Sequence, residues 1–94
     1  YEEPQVTRMV RRIAAPETTA DQVAMVLHGA LADAADERLE PDDLAVVMRA
    51  GGARLDEAQI GVVESLARQK LTADEAASAI GALRGDGGPL PRPE

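Results

Sequence analysis

The segments RLEPDDLAVVMRAGGA (38–53), RLDEAQIGVVESLARQ (54–69) and KLTADEAASAIGALRG (70–85) follow one plan. Each begins with a cation and a leucine, continues with a residue able to cap a helix, and carries acidic or amide residues ahead of an apolar helical stripe. Acceptors at a helix start satisfy its free amides, so the plan predicts three consecutive helices. A helix of about eleven residues with a short connection fills each unit, although a duplicated unit would also explain the period.

Two further helices are predicted ahead of these three segments. Apolar residues recur at helical spacing from Val6 to Ile13. This first helix is expected to end before Pro16, because the residue preceding a proline avoids the helical conformation. The second helix is expected to begin at a cap on Thr18 or Thr19 and to continue through a regular apolar stripe.

The later helices have clear start and stop signals. Pro41 suits the first position of the third helix, and Gly51-Gly52 is expected to stop that helix. Thr72 and Glu75 form a capping box at the start of the fifth. The sequence therefore predicts an all-α bundle with two consecutive helix–loop–helix units and an N-terminal helix. The expected helices are at about residues 4–14, 19–34, 41–50, 57–68 and 73–84, within one domain at about 1–84 and before a disordered Gly/Pro-rich tail at about 85–94.

The composition indicates a small globular domain with a thin core. The 94 residues are 45% hydrophobic, but Phe and Trp are missing and Tyr1 is the sole aromatic residue. Aromatic side chains bury about 150–250 Å² each, so an aliphatic core of this size is expected to give modest stability unless a partner covers further surface.

The net charge of −7 limits the classes of partner. Binding to nucleic acid depends on Lys and Arg that neutralise phosphates, so neither nucleic acid nor an anionic membrane is an expected partner. The sequence has no Cys, which rules out disulfides and thiolate metal sites, and no apolar run approaches the roughly 20 residues that span a bilayer. A cytoplasmic protein is predicted. A single Lys among ten cations, with Ala and Arg favoured, is typical of bacteria with GC-rich genomes.

The second and third predicted helices resemble the first half of an EF-hand pair. The incoming helix of that family ends in two apolar residues four apart, which here are Leu27 and Leu31. The family's twelve-residue loop corresponds to 32–43, with the apolar Leu39 at the eighth place and the carboxylate Asp43 at the twelfth. The resemblance extends over about sixty residues and implies paired helix–loop–helix units with a regulatory role.

The same loop departs from the family at the places that bind calcium. Ala32 and Ala34 occupy its first and third places, where calcium needs carboxylate oxygens, and Glu37 occupies the sixth, where the sharp turn favours glycine. In the second unit the loop shrinks to RQK (68–70). The resemblance therefore implies a degenerate domain that does not bind calcium, and no metal or other cofactor is predicted.

The last helix pair also resembles two other helical families. LTADEA (71–76), which follows a basic turn, is similar to the SHOCT-like modules, and that resemblance implies interaction or oligomerisation. The same residues resemble the opening of an excisionase-type helix-turn-helix. A DNA reader then needs a recognition helix with polar and basic residues, whereas this chain continues into a stretch rich in Gly and Pro. A small DNA-binding regulator is therefore the less favoured hypothesis.

No residue pattern predicts catalysis. His28 is the only histidine, and without Cys or a second His it lacks the companions of a metal or catalytic site. We expect it at the edge of the apolar stripe of the second helix.

Two charged surfaces of opposite sign are the candidate binding sites. The acidic patch comprises Asp33, Asp36, Glu37, Glu40, Asp42 and Asp43. The helix-1 surface comprises Val6, Arg8, Met9, Arg11, Arg12 and Ile13. The carboxylates either cap helices in a solvated loop or bind a cation or a basic partner. The arginines pair within the chain, with a foreign acidic partner, or with a second copy. We predict a non-enzymatic protein–protein interaction module, with an antiparallel homodimer as the preferred form.

Overall fold

The computed structural model describes residues 4–85, which form five α-helices and no strand. The helices are α1 (Gln5–Ala14), α2 (Ala20–Ala35), α3 (Pro41–Gly52), α4 (Glu57–Lys70) and α5 (Ala73–Leu83). The predicted all-α bundle of five helices is therefore confirmed. Except for Gly85, the tail predicted at 85–94 lies outside the described residues. Within 4–85, no helix combines the length and the apolarity that crossing a membrane requires.

Reciprocal capping explains where three of these helices begin. The Thr19 hydroxyl accepts a hydrogen bond from the Gln22 amide at 3.2 Å, and the Gln22 side chain accepts one from the Thr19 amide at 2.9 Å. The same arrangement starts two further helices, with Asp56 and Gln59 in α4 and Thr72 and Glu75 in α5. Each cap stabilises a helix by about 1 kcal/mol, and its two members are three residues apart, so the sequence alone can reveal it.

The third helix includes Gly51 and Gly52 and ends at Gly52, two residues beyond the end predicted at about residue 50. A Cβ atom on Gly52 would stand 1.8 Å from the carbonyl oxygen of Leu83 in α5. A Cβ atom on Gly51 would stand 2.6 Å from both Cδ atoms of the buried Leu27 in α2. The two glycines therefore allow close approach between helices in the last turn of α3.

The central helix of the bundle is α3, which packs against α1, α2 and α5. In addition, α2 packs against α4, and α4 packs against α5. Because α1 packs against both α3 and α2, it is a member of the bundle rather than a free arm. The largest fully buried side chains are aliphatic, as predicted: Ile13, Val23, Leu27, Leu31, Val47, Met48 and Val63.

Arg54, in the connection between α3 and α4, holds the connection between α1 and α2 in place. Its guanidinium donates hydrogen bonds to the carbonyl oxygens of Ile13, Ala15 and Thr18, the last at 2.7 Å. The buried Thr18 in turn donates its hydroxyl to the Arg12 carbonyl at 2.7 Å. The Ile13 carbonyl in the last turn of α1 is thus bound by a cation, which the negative end of the helix dipole favours.

Candidate binding groove

A groove of about 460 Å³ lies where the end of α2 meets the starts of α3 and α5. Its floor is apolar and consists of Ala34, Leu39, Leu44, Ala45, Leu71 and Ala79. Its rim consists of exposed residues, four of which are carboxylates: Glu37, Glu40, Pro41, Asp74, Glu75 and Ser78. We call this feature the acidic groove. It offers apolar carbon, negative charge and one hydroxyl, which together suit an apolar side chain flanked by cations.

Two leucines of the repeated sequence plan meet in this groove. Leu39 follows the cation of the first segment and Leu71 follows the cation of the third, so the two are equivalent in the plan. Leu39 is 6% exposed and belongs to the core, while Leu71 packs against the core from its edge. Because each leucine immediately precedes a helix start, the packing of α3 on α5 brings the two connections to one end of the bundle.

A residue in the left-handed backbone conformation, Glu37, ends α2 and directs the chain along the rim of the groove. Glu37 has φ 62°, and it is the one non-glycine residue with positive φ among residues 4–85. Its amide donates to the Ala34 carbonyl at 3.1 Å, and the Arg38 amide donates to the Asp33 carbonyl at 2.7 Å. This hydrogen-bond pair is the Schellman ending of a helix, which usually places glycine at the left-handed position. Glu37 occupies that position despite the cost for a residue with a side chain.

Helix dipoles support the remaining rim carboxylates. Glu40 is the N-cap of α3, although its side chain makes no capping hydrogen bond. Asp74 and Glu75 lie in the first turn of α5, and the Glu75 carboxylate accepts a hydrogen bond from the Thr72 amide at 3.2 Å. Both helices start at the groove, so the positive ends of their dipoles offset part of the repulsion between the carboxylates.

The predicted acidic patch is divided by the structure. Glu37 and Glu40 line the groove, whereas the other four members lie outside its lining. Asp33 accepts a hydrogen bond from the side chain of Gln5, and Asp36 is the C-cap of α2. Asp42 and Asp43 lie in the first turn of α3. The described part of the chain contains no group of three His, Cys, Asp or Glu side chains placed to hold a metal ion.

Asp74 and Glu75 are site residues that the sequence pattern did not indicate, because in the sequence they have the form of a helix start. They follow Glu40 by more than thirty residues in the chain, and the packing of α5 on α3 brings them to the same groove. Asp74 and Glu75 share one sequence feature with Glu40, because all three lie at the start of a helix that follows a leucine.

The predicted helix-1 surface is also divided. Ile13 is 1% exposed and lies in the core, so its inclusion in a partner surface is wrong. Val6 and Met9 are half-buried and pack against that core, because their side of α1 faces α2 and α3. The side chains of the three arginines, Arg8, Arg11 and Arg12, are exposed.

A second, shallower depression lies between α1 and α2. It is lined by Arg8, Met9, Arg11, Arg12, Ala15, Glu17, Thr18, Gln22, Met25, Val26 and Gly29. Met25 is one of the lining residues, and because it is 71% exposed it presents an apolar side chain to solvent. We call Met25 with Arg8 and Arg12 the basic knob. Met25 falls outside the apolar stripe of α2, so the sequence pattern did not indicate it as a site residue. His28 is exposed on the same helix and does not line either depression.

Comparison of this chain with known protein families, with curated proteins and with solved structures gives no match in any of the three.

Proposed function

We propose that this chain is a non-enzymatic interaction module whose acidic groove binds an apolar side chain flanked by Lys or Arg of a partner protein. The observation that carries the proposal is the groove itself, in which an apolar floor is bordered by Glu37, Glu40, Asp74 and Glu75. The module acts through shape and charge.

The two parts of the groove have separate roles in this proposal. Burial of an apolar side chain against Leu39, Leu71 and Ala79 supplies affinity, at about 25 cal/mol per Å² of apolar surface removed from water. The rim carboxylates attract cationic partners and reject anionic ones, and they accelerate association at low salt. Binding should therefore weaken as salt is added, because screening reduces the contribution of the rim.

The test uses two labelled helical peptides of equal length, one of Leu and Lys and one of Leu and Glu, with binding followed by fluorescence anisotropy. The Leu/Lys peptide should bind and the Leu/Glu peptide should not. Ser78→Arg fills the groove and Asp74→Lys reverses a rim charge, so each should weaken binding at least about tenfold.

Matched controls separate the groove from overall charge. Ser65→Arg makes the same change at an exposed site on α4 outside every depression described above. Asp42→Lys reverses an exposed carboxylate in the first turn of α3 that does not line the groove. The two control variants should keep nearly wild-type affinity. Equal losses in test and control variants, or equal binding of both peptides, would refute the proposal.

The second candidate is the degenerate calcium-sensor-like domain that the resemblance to EF-hands implies. The left-handed Glu37 at the sixth loop place favours it, because the family makes its sharp turn there. Ala32 and Ala34 offer no side-chain oxygen at the first and third places, so this candidate also predicts no response to calcium. Amide shifts in the loop at 32–43 on addition of calcium would show instead that the loop is competent.

A further inference from the structure

We propose that the occupant of the acidic groove is the basic knob of a second copy of this chain. In this contact Met25 of one copy enters the groove, and Arg8 and Arg12 meet the rim carboxylates. The inference rests on the proposed function, since it requires the groove to bind an apolar side chain between cations, and it adds the identity of the partner.

The basic knob offers the two features that suit the acidic groove, an exposed apolar side chain and neighbouring cations. Met25 is the most exposed of the large apolar side chains described within 4–85, at 71%, while Val62 and Val46 are 64% and 44% exposed. Of these three, Met25 is the one that lines a depression together with Arg8 and Arg12. A groove of about 460 Å³ accommodates a methionine side chain, whose flexible thioether adapts to irregular apolar surfaces.

The basic knob and the acidic groove occupy different parts of one copy. Met25 lies in the first half of α2, and the groove begins where α2 ends, about 15 Å further along the helix axis. One copy therefore presents both surfaces at once, and the contact is heterologous, with knob facing groove. Repeated contacts of this kind produce a closed ring when the rotation from copy to copy adds up to a full turn, and an open filament when it does not.

Sedimentation across a wide range of concentrations is the first part of the test. The wild-type chain should increase in mass with concentration, and added salt should reverse this, because screening weakens the pairing of arginines with carboxylates. A wild-type chain that remains a monomer throughout the range would overturn the inference.

Two variants then remove one surface each. Met25→Glu removes the apolar side chain and repels the carboxylate rim, while Ser78→Arg blocks the groove. Each should weaken self-association at least about tenfold. Val62→Glu and Ser65→Arg are the matched controls, since they make the same changes at exposed sites on α4 outside both surfaces. Both controls should associate like the wild type. Equal losses in test and control variants would overturn the inference, and circular dichroism verifies that each variant is folded.

Mixing the two variants is the decisive step. Met25→Glu retains a groove and Ser78→Arg retains a knob, so an equimolar mixture should form a one-to-one dimer that cannot grow further. A mixture that stays monomeric would contradict knob-into-groove binding. If the wild type is monomeric but its groove still binds the Leu/Lys peptide, the proposed function stands and the second copy is refuted as its partner. If the Leu/Lys peptide also fails to bind, both the proposed function and the second copy as partner are refuted.

Discussion

Gly52→Ala is expected to destabilise the bundle by about 3 kcal/mol, although alanine is the better helix former. Gly52 is the last residue of α3, and a Cβ atom there would stand 1.8 Å from the Leu83 carbonyl oxygen. Gly61→Ala is the matched control, because Gly61 lies inside α4 and a Cβ atom there has no neighbour within 4 Å. The same substitution should stabilise the protein at that site by about 1 kcal/mol.

The size of the loss follows from what the new atom meets. Cβ atoms are essentially never found within 3.0 Å of another heavy atom, so α3 and α5 must separate locally by more than about 1 Å. A gap of this size forfeits about a quarter to a half of the dispersion energy between the facing atoms. Overpacking typically costs about 1–3 kcal/mol. We expect the upper end of this range, since the obstacle is a backbone carbonyl that cannot rotate away.

Urea unfolding followed by far-UV circular dichroism measures the difference, because the chain has no tryptophan to report by fluorescence. A domain of this length has about 5–14 kcal/mol of stability, so a loss of about 3 kcal/mol moves the midpoint clearly. The corresponding fall in Tm is at least about 12 °C. A Gly52→Ala variant that unfolds at the wild-type midpoint or above it would refute the close approach of α3 and α5.

Two further predictions concern the partly buried cation Arg54 and an ion pair. Arg54→Met should lower the free energy of unfolding by about 2–3 kcal/mol in the same urea assay, because three carbonyl groups lose a charged donor; a loss below about 0.5 kcal/mol would contradict this role. Arg84 hydrogen-bonds Glu64 and Glu57, and the bond to Glu64 lowers the pKa of that carboxyl group. Folding lowers this pKa, so the stabilisation is present above the unfolded value of about 4.3 and is lost as the pH falls through the folded value. The stability difference between wild type and Arg84→Gln should therefore shrink as the pH is lowered from about 7 to about 3, and a constant difference would show that Glu64 is not the partner.

The positions of the helices were predictable because their signals are local. Thr19, Asp56 and Thr72 each form a cap with a residue three positions further along, and Pro41 needs no partner at the first position of α3. Such interactions form within one turn of the backbone and do not depend on the rest of the fold.

The candidate site was only half predictable for the same reason. Glu37 and Glu40 belong to a visible run of carboxylates, whereas Asp74 and Glu75 join them through the packing of α5 on α3. No pattern within α5 marks it as the other wall of a groove. The exposure of Met25 and the burial of Ile13 were likewise set by which sides of α1 and α2 meet the remaining helices.

The sequence by itself determined an all-α chain, the starts of α2 to α5 and an aliphatic core, because capping, the placement of Pro41 and helical periodicity act over a few residues. The tertiary structure decided the structural role of Gly51 and Gly52, which is to allow close contact between helices. In the sequence they have the form of a helix stop, but a missing side chain serves equally well to let two helices touch. Which of these applies depends on whether Leu83 and Leu27 lie against them, and that contact exists only once α3 is packed between α5 and α2.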